Sequence, residues 1–267
     1  MGEMVRYPSN GATSEGYLAR PADGGGPGVI VIQEWWGLVP HIQAIADRFA
    51  HEGFVALAPD LYHGAHTTEP DEAVKLLMGL AMDQAAKDIA GAAEHLAGLD
   101  AVRGGIGVVG FCAGGSLALW SGTLSERIVA AVGFYPGMPW ERMRPEWPNY
   151  AGKAAVIHCD EADGGSGVPG IQTAKKAIEA AGSEVTLYDY PGTHHAFFND
   201  DRPEAYDARA SATAWGDPPG GLPRPGVLGS PGARLRAGRR PPRDPRAGAG
   251  RARRKPYRPD LHRRPLG

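Results

Sequence analysis

The chain has 267 residues, 42% of them hydrophobic, and a formal net charge of −2. That is long enough for one large α/β domain, and no apolar run approaches the ~20 residues a membrane span needs. Two cysteines, Cys112 and Cys159, exclude a disulfide framework, and Met1 to Pro8 lack the pattern of a secretion signal, so a reducing, cytoplasmic setting is expected. The near-neutral total conceals an asymmetry: 14 Lys and Arg but only 3 Asp and Glu follow Trp215, leaving 14 basic against 27 acidic residues before it.

Residues 1–215 alternate strand and helix signals. Val5 to Tyr7 and Gly16 to Ala19 read as short leading strands around a turn at Ser9-Asn10-Gly11. The loop Ala22 to Pro27 leads into Gly28 to Ile32, whose unbroken apolar run predicts a strand covered on both faces. His41 to Glu52 repeats apolar residues at helical spacing (Ile42, Ile45, Ala46, Phe49) and stops at Gly53. Phe54 to Ala58 is the next strand, Asp71 to Leu80 and Asp83 to Leu99 are helices, and Ile106 to Phe111 is a strand. Further strands follow at Val129 to Phe134, Ala154 to His158 and Glu184 to Tyr190, with helices at Ile171 to Ala181 and Glu204 to Trp215. The alternation predicts an α/β fold with a mostly parallel central sheet and helices on both faces. Ligands bind such sheets at the loops beyond the strand C-termini.

One of those loops carries a thiol. Gly110-Phe111-Cys112-Ala113-Gly114-Gly115 reads as strand, sharp turn and helix, with glycines two positions before and after Cys112. This is the G-x-S-x-G elbow with Cys in place of Ser, and the helix that follows turns its first N–H groups toward the apex. Such groups lower a thiol pKa and stabilise an oxyanion. A buried structural cysteine beside a glycine turn is the competing reading.

A nucleophile needs a base, and the base needs an orienting group. Beyond Cys112, the strand ending at His158 runs into Cys159-Asp160-Glu161-Ala162-Asp163, and the next runs into Pro191-Gly192-Thr193-His194-His195-Ala196-Phe197-Phe198. Acid and histidine therefore follow in the order hydrolases of this architecture use, at the same sheet edge. Asp163 lies deepest in its loop and is the preferred acid, with Asp160 and Glu161 as fallbacks; His195 is preferred to His194.

Together with Gln33-Glu34-Trp35-Trp36-Gly37, Ala58-Pro59-Asp60-Leu61-Tyr62 and His195-Ala196-Phe197, this elbow resembles the dienelactone hydrolase (carboxymethylenebutenolidase) family of the α/β-hydrolase superfamily over residues 4–215. The resemblance implies a lactone or carboxylic ester hydrolase that needs no cofactor or metal. Cys112 would be the nucleophile, Asp163 the triad acid and His195 the base. Glu34 would contact and modulate the thiol, with the N–H groups of Trp35 and Ala113 forming the oxyanion hole. Trp36, Tyr62, Phe197 and Arg202 are the expected pocket residues. The chain departs from the family's pattern where arginines bind a substrate carboxylate: residues 63–71 contain none, and Asn199 stands four past His195, with Arg202 the nearest cation.

Other signals carry less. Gly105 to Gly110 matches G-x-G-x-x-G, but these residues are the strand itself rather than the turn opening a helix, which argues against a dinucleotide site. His63 and His66 lack the further ligands of a metal site, and Cys159 reads as a buried packing residue. Residues 216–267, rich in Arg, Pro and Gly and without periodicity, read as a disordered tail. Loss of the apolar helix register after Trp215 also fits translation in a shifted frame of a GC-rich gene. A non-catalytic protein whose basic tail binds nucleic acid is the alternative, weakened by the tail's lack of interleaved aromatics; no nucleic-acid or membrane partner is expected.

Overall fold

The computed structural model describes residues 2–9 and 11–216. Eight strands form one sheet: β1 (Glu3–Ser9), β2 (Ala12–Ala19), β3 (Gly26–Ile32), β4 (Val55–Pro59), β5 (Val102–Phe111), β6 (Ile128–Phe134), β7 (Ala154–Asp160) and β8 (Glu184–Tyr190). Their order is β1-β2-β4-β3-β5-β6-β7-β8. β1 and β2 pair antiparallel, β2 joins β4 antiparallel, and every pair from β4 to β8 is parallel. The expectation of a mostly parallel α/β sheet holds.

Among the described residues six helices cover it: α1 (Pro40–His51), α2 (Pro70–Gly79), α3 (Met82–Ala97), α4 (Ala113–Ser121), α5 (Pro169–Ala180) and α6 (Ala208–Trp215). Alternate strand residues point to opposite faces. Val29 and Val31 of β3 pack with Ile42, Ile45 and Phe49 of α1 and Ala214 of α6. Ile30 and Ile32 pack on the other face with Ile89 and Leu96 of α3 and Leu117 of α4. Full burial of each of the Val, Ile, Leu and Phe side chains among them contributes about 1.5–3 kcal/mol. All nine residues of α4 are buried, so the helix that follows Cys112 is held from every side.

Element boundaries shift by a few residues from the sequence reading. α1 begins at Pro40, whose fixed φ suits a first helical position. α6 begins at Ala208 rather than Glu204, because residues 202–206 form turns on the Arg202 carbonyl and Asp207 supplies the cap, its carboxylate accepting the Ala210 N–H at 2.8 Å. Between β6 and β7, Trp140–Arg142 and Trp147–Tyr150 form two 3₁₀ turns that no periodicity announced. None of the described helices is long and apolar enough to cross a membrane. The basic tail, with the readings of disorder, frame shift and anionic partners attached to it, lies outside the described residues.

Candidate active site

The loops that follow β3, β4, β5, β6, β7 and β8 converge on one edge of the sheet. Cys112 joins β5 to α4 at φ 57° and ψ −123°, a conformation an L-residue adopts at a cost of about 1–3 kcal/mol. The flanking glycines explain how the turn fits. A Cβ on Gly110 would lie 2.0 Å from the Gly114 carbonyl oxygen, and one on Gly114 would lie 2.2 Å from that of Gln33. The Cys112 N–H donates to the Phe134 carbonyl at 3.0 Å, and the Gly115 N–H to the Cys112 carbonyl at 2.9 Å. Cys112 remains half-exposed. Ala113, as the first residue of α4, has no intrahelical acceptor for its N–H. Trp35, two residues past the β3–Gln33 junction, donates no backbone hydrogen bond among the described residues.

The segments after β7 and β8 are stitched together. Ala162 N–H donates to the Thr193 carbonyl at 3.2 Å, and Glu161 Oε2 accepts the Gly192 N–H at 2.7 Å. Glu161 therefore braces the turn rather than facing the imidazole. His195 Nδ1 lies 2.6 Å from Asp163 Oδ2 and 3.8 Å from Asp160 Oδ2. Asp160, 2% exposed, instead accepts the Asp163 N–H at 2.8 Å and so shapes the loop that presents Asp163. Burial opposes a charged His195 ring, but hydrogen bonds to Asp163 and Cys112 and their charges prevail, pushing it up to about 10. The His195 hydrogen bond in turn holds Asp163 below the usual carboxylate range, while burial raises Asp160. His194 is exposed.

Glu34 is 3% exposed, and burial raises its carboxyl, with His41, the Asn199 hydrogen bond, His195 and Arg202 opposing. Its hydrogen bonds run to Asn199 Nδ2 at 2.7 Å and Tyr135 Oη at 3.5 Å, not to the thiol as the family resemblance implied. The reason is local: the Asp201 N–H donates to Asn199 Oδ1 at 3.0 Å, which turns the amide nitrogen toward Glu34. Tyr135 was absent from the sequence reading. It follows β6 at φ 37°, wholly buried, with its ring 4.9 Å from that of His195. Burial, then Glu34 and Cys112, raise its phenol. Its position just past a buried strand, at the edge that supplies the other site residues, was the available signal.

Of the expected pocket residues, Trp36 packs edge-on against Trp35 with centroids 4.8 Å apart. Arg202 lies 5.7 Å above the Trp36 ring and pairs with Glu204 at 2.8 Å. Tyr62 is partly exposed, its phenol raised by burial and by neighbouring Cys112 and opposed by Arg142. Phe197 requires correction: at 0% exposure it lines no open pocket. Packed against Tyr190, Tyr135 and Phe134, it is a floor beneath the His195 loop, since its N–H turns back to the His194 carbonyl. Cys159 is buried as expected, its thiol pushed up to about 12 by desolvation and nearby carboxylates. His63, read as a loop residue, reaches Asp88 of α3 at 3.2 Å, a pairing across elements that spacing could not reveal.

Among the described residues, two groups of side chains are close enough to share a cation, His41-Asp200-Asp201 and Asp160-Asp163-His195. Each contains an imidazole already hydrogen-bonded to a carboxylate and at most one buried carboxylate, so we assign neither to a metal.

The model of the "Dienelactone hydrolase family" matches residues 14–218. The chain belongs to the dienelactone hydrolase family. Among its relatives, "Protein usf" of Aquifex pyrophilus is 38% identical over 230 residues, spanning 80% of this chain and 95% of the relative. The "Putative carboxymethylenebutenolidase" of Aquifex aeolicus is 32% identical over the same shares of the two chains. Among solved structures, the "Putative Dienelactone Hydrolase" of Klebsiella pneumoniae superposes with a TM-score of 0.68 at 27% identity, covering 80% of this chain and 95% of that one. Dienelactone hydrolases are α/β-hydrolases that cleave carboxylic esters and lactones, and the sheet order and elbow described above are those of this architecture.

Proposed function

We propose that the chain hydrolyses an uncharged carboxylic ester or lactone through a Cys112-His195-Asp163 triad and a thioester intermediate. The observation that carries the reading is His195 between Asp163, 2.6 Å from Nδ1, and Cys112 on its strained elbow. His195, elevated to about 10, against its burial, by Asp163 and Cys112, holds a proton at neutral pH, and in the proposed reaction the sulfur attacks as a thiolate beside that imidazolium. The thiolate sulfur attacks the carbonyl carbon, and the oxygen takes the negative charge between the N–H groups of Trp35 and Ala113. One such donor is worth about 3–4 kcal/mol to the transition state. Collapse breaks the carbon–oxygen bond, and His195 gives its proton to the departing alkoxide, which stays tethered if the substrate is a lactone. Water then attacks the thioester, losing its proton to His195, and the thiolate departs as the carboxylic acid forms. Asp163 holds the ring in the tautomer and orientation both steps require. A negative charge on Glu34 would favour the charged His195 ring, and burial, which raises the Glu34 carboxyl, opposes that charge, so Glu34 has a modulating role for the nucleophile.

The preference for an uncharged substrate follows from the cations. Asn199 faces inward to Glu34, Arg202 is held by Glu204 and Trp36, and Arg142 donates to the Leu77, Met78 and Leu80 carbonyls at the end of α2. Among the described residues nearest the site, no guanidinium is left uncommitted for a substrate carboxylate. The experiment is a panel of aryl esters and lactones, each with and without a carboxylate, assayed with the wild type and Cys112→Ala. We expect the neutral members to be cleaved with the higher kcat/KM, and Cys112→Ala to lose at least about a thousandfold. Retained hydrolysis in Cys112→Ala would discard the thiol mechanism, and a preference for the carboxylates would discard the substrate class.

A further inference from the structure

Asp163 serves His195 from an exposed position, with 53% of its side chain open to solvent, so its placement 2.6 Å from the ring depends on its backbone. Upstream, its N–H is tied to Asp160 Oδ1 at 2.8 Å. Downstream come Gly164 and Gly165, at φ 108° and 63°, two consecutive residues in a conformation that glycine adopts freely and other residues rarely. A link with no side chains to lock it needs an anchor beyond the glycines, since ordering it costs conformational entropy.

Ser166 is that anchor, and its three polar groups are all committed. Its N–H donates to Asp189 Oδ1 at 2.6 Å and its hydroxyl to Asp189 Oδ2 at 2.7 Å, while its carbonyl accepts from Gln172 Nε2 of α5 at 2.6 Å. Asp189 stands on β8, the edge strand, opposite Cys159 of β7. Its carboxylate also bounds the loop sterically, because a Cβ on Gly165 would come 2.9 Å from Oδ1. An exposed carboxylate on an edge strand ordinarily faces water, yet both oxygens of Asp189 are turned onto one residue of the Asp163 loop. Hydrogen bonds to an ionised acceptor are about twice as strong as neutral ones. β8 is also the strand that runs on to His195, so one element carries the histidine and grips the loop that presents its acid.

We propose that Asp189 is a positioning residue for the triad: by gripping Ser166 it fixes the Gly164–Gly165 link and so the reach of Asp163 to His195. The proposal rests on the triad reading of Asp163 and His195 given above and deepens it. Asp189 touches neither the ester nor the imidazole. It sets the fraction of molecules in which Asp163 accepts from Nδ1, and therefore kcat, without a part in holding the substrate. A brace for the start of α5 alone would be felt in stability and not in kcat.

The test measures kcat and KM on one uncharged aryl ester, and the thermal midpoint, for the wild type, Asp189→Ala, Asp189→Asn, Ser166→Ala, Asp163→Asn and the Asp163→Asn/Asp189→Ala double variant. Asp189→Ala should lower kcat by about fivefold to a hundredfold with KM within about twofold, since a small misplacement of a catalytic group costs up to about a hundredfold. Asp189→Asn keeps an oxygen for the Ser166 N–H and an amide that can donate to the hydroxyl, and should hold kcat within about threefold of the wild type. Ser166→Ala, which loses only the hydroxyl bond, should fall between the wild type and Asp189→Ala. In the Asp163→Asn background, adding Asp189→Ala should change kcat by less than about twofold, because no carboxylate is left to position. A loss below about fivefold in Asp189→Ala, or an equal loss with and without Asp163, overturns the proposal and leaves Asp189 a brace of α5. If Asp163→Asn itself retains the wild-type kcat, the triad acid is what fails, and the grip, with nothing to present, falls with it. Should Asp189→Ala not fold, Ser166→Ala decides: a loss of kcat that vanishes in the Asp163→Asn background supports the proposal, and no loss, or one that persists there, overturns it.

Discussion

Asp163 and Asp160 both approach His195 Nδ1, yet their surroundings give them different tasks. Asp163 accepts directly at 2.6 Å and is held below the usual carboxylate range by that bond. Asp160 sits 3.8 Å away, raised by burial, and spends its other oxygen on the Asp163 N–H. Asp163→Asn should therefore lower kcat by about a thousandfold or more, as expected when an imidazole loses the acceptor that fixes its tautomer. Asp160→Asn, whose amide oxygen can still accept the loop N–H, should stay within about tenfold. Stopped assays on one aryl ester distinguish the two, and the reverse ranking would make Asp160 the triad acid. The meeting of Cys112, Asp163 and His195 at one sheet edge was legible because each follows a recognisable strand. Tyr135 and the Asn199 bond to Glu34 were not. Both depend on how turns point side chains after the strand ends, and neither residue type is diagnostic by itself.

The elbow is the element on which the site depends, and its glycines are there for close approach of backbone. A Cβ on Gly114 would meet the carbonyl oxygens of Gln33 and Ile32 at 2.2 and 2.8 Å, both rigid backbone atoms of the neighbouring β3 edge. Gly114→Ala should force α4 away from the sheet and cost at least about 3 kcal/mol, read as a lowered midpoint in urea or thermal unfolding. Near-native stability would mean that α4 can slide on β3 without loss. The same shift would move Ala113 and Trp35 apart, so surviving protein should lose kcat as well. At the other end, α6 is tied down by Trp215, which packs on Phe49 with Arg48 3.7 Å from its ring centroid. Its amphipathic pattern was readable, but its start was not, because Asp207 outcompeted the earlier residues as a cap.

At the scale of the molecule, the sheet from β4 to β8 brings six strand ends to one edge, while charge divides the chain into an acidic body and a basic tail. We propose that the hydrolase is complete by residue 216. A chain ending there should keep kcat/KM within about threefold of the full length on the same ester, since domain boundaries fall in stretches rich in Pro, Gly and polar residues. A folded but inactive truncation would assign the tail to the enzyme.

By itself the sequence determined the α/β architecture and the order of its elements, the glycine turn that carries Cys112, and the loops that bring acids and histidines to the same edge. These are local matters: hydrophobic period, glycine conformation, and the rule that parallel strands end at a common edge. Only the tertiary structure decided which of two nearby acids meets His195, that Phe197 is floor rather than pocket, and that Glu34 turns to Asn199 while His41 meets Asp200. Those outcomes depend on distances between residues far apart in the chain, on which spacing along a single strand or helix is silent.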